Sequence, residues 1–293
     1  ARLVDVNFHL LVESPPGRID PWMPLLAITG DREEFAKRYS STDEESVLSF
    51  FTLDPENPSS IRSCISAARE NCRALRHRIS SELWLVINTL HLDALKWTPE
   101  SMLGVGVYTF FAELREWFYL VSGVIRSTIP RGVGYDFLGA GRWLESAENI
   151  SRLLDTKYHF LLPSVEDIGS PLDLAQWAAL LRSASALEAY RQSYGNDIRP
   201  ERVVEFLLFD ASFPRAARYC MDRLEGALGR IAGGVQQREA PERIPTAHAL
   251  AVRMRAGSAG TVIADGLHEY LLGIQDDCAL IGDEINQVYL RCE

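Results

Sequence analysis

Asn57-Pro58-Ser59-Ser60-Ile61-Arg62-Ser63-Cys64-Ile65 opens the stretch that decides the fold. Asn57 reads as an N-cap and Pro58 as the first helical position. Behind them apolar residues recur at Ile61, Ile65, Ala68, Cys72, Leu75, Ile79, Leu83, Val86 and Leu90. Their mean spacing is about 3.6 residues, the α-helical period, and it predicts one helix over 58–97. Thr98-Pro99 stops that helix and caps a second one, whose stripe Leu103, Val107, Phe110, Leu114, Trp117, Val121, Val124 steps alternately by four and three. A third helix runs over 135–162, with Phe137, Gly141, Leu144, Ala147 or Ser151, Leu154, Tyr158 and Leu161 on one face.

Working outward, further helices are expected at 171–191, 200–209, 214–232, 241–256 and 259–291, with shorter ones at 21–28, 31–39 and 43–52. Pro163, Pro171, Pro200, Pro214 and Pro241 mark boundaries. No segment alternates with period two, and no Asn-Gly or Asp-Gly hairpin signal occurs. The fold class is therefore all-α, an antiparallel helical bundle, read as a single domain over 1–293.

The chain also repeats itself. Residues 1–14 match 151–164 through Arg2/Arg152, Leu3/Leu153, Asp5/Asp155, His9/His159, Leu11/Leu161 and Ser14/Ser164. A second block pairs Phe50/Phe206, Asp54/Asp210, Pro58/Pro214, Arg62/Arg218 and Cys64/Cys220. Two collinear blocks point to duplication, with pseudo-repeats at about 1–133 and 134–293 related by a pseudo-two-fold axis. The period is too long for a solenoid.

Composition excludes several classes. The 293 residues carry a formal charge of −10, with 13 Lys/Arg against 17 Asp/Glu in residues 1–130 and 17 against 23 in the rest. Neither half is basic, so nucleic acid is not an expected partner. Only Lys37, Lys96 and Lys157 are lysines, against 27 arginines. No apolar run is long enough to span a bilayer, so no membrane partner is expected either. Five cysteines without zinc or disulfide spacing fit a reducing cytoplasm. Cys64 and Cys72 lie on or beside the apolar stripe and are expected to be buried and inert.

The run Gly141-Arg142-Trp143-Leu144-Glu145-Ser146-Ala147-Glu148-Asn149-Ile150-Ser151-Arg152-Leu153-Leu154-Asp155, followed by Lys157-Tyr158-His159, resembles the signature of the alpha-E family. Residues 57–64 and 68–73, Gln176 to Leu181, Glu205 to Leu208 and Gly266-Leu267-His268-Glu269 are similar to further blocks of that family. Ser146 departs from it, since the family usually has Arg there. The first copy starts at Ala1 without the Gly-Arg-x-Leu-Glu half of the motif, so the first repeat reads as lacking its N-terminal part. The resemblance implies an all-helical protein without a settled activity. It implies as partners a circularly permuted ATP-grasp amidoligase and a peptide or small-molecule ligand, in a setting where amide bonds are made or processed. The chain is accordingly read as an accessory or binding subunit of such a system. The alternative is an enzyme that uses paired Glu and Arg for acid–base chemistry on an amide or amine. No cofactor is implied.

Candidate site residues follow from spacing. Arg142, Glu145, Asn149, Arg152, Thr156 and His159 stand three or four apart on the 135–162 helix, flanked by Glu148 and Asp155. This polar stripe has three readings: a solvated face, a structural seam of satisfied ion pairs between repeats, or a ligand site. The recurrence of Arg2, Asp5 and His9 at the spacing of Arg152, Asp155 and His159 favours the last two. Arg69, Glu70 and Arg73 on the 58–97 helix are the expected partners of the stripe. Asp155/His159 and Asp5/His9 have the spacing of two metal ligands, but two are too few. Glu145 and Glu148 also put Glu where a di-iron motif needs His, so an ion pair is expected and no metal.

Overall fold

In the computed structural model, described residues are 22–159, 169–234 and 244–290, together with Leu3, Val4 and Asn7. Every regular element among them is helical. The described chain divides into two compact units at Pro130/Arg131.

Unit 1 comprises α1 (Met23–Thr29), α2 (Arg32–Arg38), α3 (Glu44–Thr52), α4 (Ile61–Ala74), α5 (Ser81–Ala94), α6 (Pro99–Val105) and α7 (Val107–Thr128). The helix expected over 58–97 is instead the hairpin α4–α5. Asn57 does not cap it: buried Asn57 donates from Nδ2 to the Phe50 carbonyl at 3.0 Å and accepts from Ser59 N–H at 2.9 Å. The caps are Ser60, accepting from Ser63 N–H, and Ser80, accepting from Leu83 N–H. The stripe's apparent continuity runs through Leu75, which is 51% exposed at the turn. The chain folds back there, and Ile65 of α4 and Leu90 of α5 enter one core with Leu26, Phe50, Met102 and Phe111. Burying two short amphipathic faces against each other removes more apolar surface from water than one long helix of the same residues would.

Unit 2 comprises α8 (Val133–His159), α9 (Pro171–Ser183), α10 (Leu187–Tyr194), α11 (Pro200–Val204) continuing as a π turn (Glu205–Phe209), α12 (Ala217–Gly234), α13 (Pro245–Ala256), α14 (Ala259–Asp265) and α15 (Leu267–Ile285), which ends in a π turn (Asn286–Leu290). Helix α8 packs against α12 and α15, and α13 packs against both of these. Ala147, Ile150, Leu153 and Leu154 of α8 are buried, as are Met221 and Leu224 of α12 and Ile274 and Ile281 of α15.

Three expected helices are broken. Gly106 (φ +91°) separates α6 from α7, and Gly266 (φ +113°) separates α14 from α15; both angles suit glycine alone. The 171–191 helix breaks at Ala184 to Ala186, where Ser185 takes φ +52°.

The same local contacts recur in both units. Arg62 Nη1 donates to the Leu53 carbonyl at 3.4 Å, and Arg218 Nη1 to that of Phe209 at 3.3 Å. Cys64 Sγ points to the Pro58 carbonyl at 3.8 Å, and Cys220 Sγ to that of Pro214 at 3.6 Å. Phe35 and Tyr39 both meet Phe50 edge-on, as Tyr190 and Tyr194 meet Phe206. Gly30 (φ +76°) and Ser185 end the helices that precede these ring pairs. Thr98 caps α6 through Ser101 N–H, as Ser258 caps α14 through Thr261 N–H.

Candidate functional site

Helix α8 carries its polar residues at helical spacing, and they grade from solvent into the core along its length. Arg142 and Glu145 are exposed, Glu148, Asn149 and Arg152 half-buried, and Asp155 is 2% exposed. Asn149 Nδ2 donates to Glu145 Oε1 at 2.8 Å. Arg152 grips Glu148 Oε1 from Nε at 3.0 Å and Nη2 at 2.7 Å. Both are i,i+4 pairs that the helix itself presents. The Arg142 guanidinium lies 4.7 Å over the Trp143 ring, which in turn meets Tyr219 edge-on.

Asp155 takes its partner from another helix. Its Oδ1 stands 2.6 Å from Nδ1 of His268, the second residue of α15, whose side chain is 19% exposed. Gly266 sets this up: its positive φ turns the chain so that α15 starts beside α8 with His268 in its first turn. An ionised Asp155 can only accept, so Nδ1 is the donor of this hydrogen bond. The expected i,i+4 partner was His159, whose side chain is outside the described residues. Arg2, Asp5 and His9 lie outside them as well.

Sequence reasoning missed Lys157. Its Nζ stands 2.7 Å from Asp173 Oδ1, hydrogen-bonds Gln176, and lies 5.6 Å from the centre of the Trp177 ring. Burial lowers the pKa of this amine, and the Asp173 carboxylate works against that shift. Asp173 is buried and also accepts from Gly169 N–H at 2.9 Å. The available signal was the rarity of lysine in this chain.

The unit 1 candidates form a separate cluster on α4. Glu70 binds both Arg69 and Arg73, and these two, Arg73 first, hold its carboxyl below the usual range. Arg69 also donates from Nε to Asn88 Oδ1 at 3.3 Å, and Arg69 and Arg76 stand 5.6 and 5.7 Å from the Trp84 ring centre. The cysteines correct an expectation: Cys64 is exposed and Cys72 half-buried, whereas Cys220 and Cys278 are the buried ones. The α4 turn faces an open groove there, so a position on an apolar stripe still meets solvent. Burial pushes the Cys220 and Cys278 thiols up to about 12. Among the described residues no three His, Cys, Asp or Glu side chains converge as a metal set, and no helix is long and apolar enough to cross a membrane.

Comparison with known proteins gives the family. An uncharacterized protein of Mycobacterium bovis and two of Mycobacterium tuberculosis are each 22% identical to this chain over 253 residues. The match covers 84% of this chain and 28% of each relative, so the chain spans little more than a quarter of their length. No solved structure matches it. The Alpha-E family, described as "a predicted alpha-helical domain with a conserved ER motif", matches residues 1–290. Matched over nearly its whole length and helical throughout its described elements, the chain belongs to the Alpha-E family.

Proposed function

We propose that this chain is a helical binding subunit of a peptide amide-bond-forming system, working with a circularly permuted ATP-grasp amidoligase. The observation that carries the reading is the fixed charge pattern on unit 2. Glu148 is held by Arg152 and Asp155 by His268, so the acidic groups are set in position by partners within the fold. Arg142 and Glu145 extend the same line into solvent, where a peptide's charged ends can pair with them. Preorganised charges of this kind suit recognition, because little side-chain entropy is lost on binding. The partner assignment rests on the family resemblance, and the curated relatives leave room for further domains beside a module of this size. The reducing cytoplasm is the compartment that fits this role.

A second reading is favoured by the Asp155–His268 pair. A buried carboxylate orienting a partly exposed imidazole is the arrangement of a general base with its orienting group. The substrate would then be an amide or amine that loses a proton to His268.

Copurification of the chain with the cognate ATP-grasp protein, followed by mass spectrometry of bound peptide, tests the first reading. A stable complex that loses peptide with Glu145→Lys supports it. Turnover of a peptide by the isolated chain, abolished by His268→Gln, supports the second reading instead.

A further inference from the structure

The turn between α4 and α5 gathers positive charge on an acidic protein. Residues 69–78 hold four arginines and His77 against Glu70 alone, in a chain whose formal charge is −10. With Glu82 of the first turn of α5 counted as well, the stretch 69–82 still carries net charge +2. The turn is tied by its own backbone. Leu75 N–H donates to the Asn71 carbonyl at 3.0 Å, Arg76 N–H to that of Arg73 at 3.4 Å, and Arg78 N–H to that of Leu75 at 2.8 Å. These bonds keep Arg73, Arg76 and Arg78 together at the end of the hairpin, where all three are exposed. Near the start of α5, the Trp84 ring draws two guanidiniums to itself, Arg69 at 5.6 Å and Arg76 at 5.7 Å, and so restrains their side chains.

The charges of this turn are unequally used. Glu70 bridges Arg69 and Arg73, and it engages Arg73 through Nε at 2.7 Å, which leaves the outer end of that guanidinium for another acceptor. Arg76 reaches only Ser81 Oγ, at 3.5 Å, and among the described residues neither Arg76 nor Arg78 forms an ion pair. Apolar surface accompanies the charge. Leu75, between Arg73 and Arg76, is 51% exposed, and Leu85, next to Trp84 in the chain, is 64% exposed.

We propose that the α4–α5 turn is a docking surface for an acidic peptide segment of a partner protein. Carboxylates of that segment pair with Arg73, Arg76 and Arg78, and its apolar side chains cover Leu75 and Leu85. Charge complementarity selects the occupant. Guanidinium forks bind carboxylates by two parallel hydrogen bonds, and Glu70 already shows a carboxylate seated between two arginines of this cluster. A long polyanion such as nucleic acid would meet the repulsion of an acidic chain beyond the patch, whereas a short acidic segment meets the patch alone. Exposed leucines beside the arginines add a contact that phosphate cannot use and an apolar side chain can. The surface lies on unit 1 and is separate from the peptide site proposed on unit 2.

A short labelled peptide of alternating glutamate and leucine is titrated into the whole chain and followed by fluorescence anisotropy. Saturable binding is expected, weakening about tenfold or more in the variant Arg73→Gln/Arg76→Gln/Arg78→Gln. It should also weaken with added salt, and with Leu85→Ser. The same peptide with glutamine in place of glutamate is expected not to bind. Glu145→Lys on unit 2 is expected to leave the binding unchanged, and a loss there would overturn the proposal by placing the peptide on the other site. The proposal is also overturned if the acidic peptide does not bind, or if the triple variant or the glutamine peptide binds equally well. Tighter binding of an oligothymidylate or of phosphatidylglycerol vesicles, lost in the triple variant, would overturn it in favour of phosphate. Should the triple variant not keep its helical circular dichroism, the glutamine peptide decides on the unsubstituted chain.

Discussion

Asp155 and His268 lie 113 residues apart in sequence and 2.6 Å apart in space, joining the end of α8 to the first turn of α15. Asp155 is 2% exposed, so its carboxylate depends on partners inside the protein. His268→Ala removes one of them. A loss of about 1–3 kcal/mol in unfolding free energy is expected from urea denaturation, the range for a buried acceptor deprived of a hydrogen bond. No loss would mean that the pair does not hold α15 on α8.

Glu148 and Arg152 are each about a quarter exposed, and theirs is an i,i+4 pair on one helix. Such pairs contribute little, so Glu148→Gln is expected to change stability by less than about 1 kcal/mol. The same substitution is expected to reduce peptide capture in the assembled system. If stability and capture fall together, the pair is scaffold alone.

Stability is expected to fall at alkaline pH. The Cys220 and Cys278 thiols are raised from an ordinary 9.0 to about 12 by burial, so the folded state holds protons that the unfolded state gives up. Their contribution is complete below pH 9 and is lost as pH rises through 12. Burial raises the Tyr190 and Tyr270 hydroxyls in the same direction. Melting temperatures measured from pH 8 upward should drop more steeply for this chain than for Cys220→Ala/Cys278→Ala.

Gly257 ends α13 beside the buried ring of Phe209. A Cβ there would stand 3.0 Å from Cζ and closer still to Cε1. Gly257→Ala is therefore expected to cost about 1–3 kcal/mol through overpacking, seen as a lower denaturation midpoint.

Gly106 and Gly266 hold positive φ at the breaks that start α7 and α15. Replacing either by Ala is expected to cost about 1–3 kcal/mol of backbone strain. Gly266→Ala also puts a Cβ 2.5 Å from Glu269 Oε2, so that carboxylate, beside His268 in the first turn of α15, must swing away. It should therefore perturb the His268 ring signals in NMR, while Gly106→Ala should leave them unchanged.

The sequence alone determined the helical class and most helix positions. The period of about 3.6 residues is a local property, and caps and prolines act within a few residues of where they stand. It also placed Glu145, Glu148, Asn149 and Arg152 three or four apart on one helix, a spacing the helix supplies by itself, whereas their pairing with one another, in place of the expected Arg69, Glu70 and Arg73, is seen only in the structure. Tertiary structure decided where a continuous stripe folds back. Nothing local distinguishes exposed Leu75 from a core residue, and the turn beyond it exists because α4 and α5 bury more surface against each other. It also decided that Asp155 meets His268, since that contact requires α15 to be docked on α8. The same reason separates Cys64 from Cys220: alike in sequence pattern and in local hydrogen bonding, they differ in burial, which for Cys220 comes from the packing of α8 on α12.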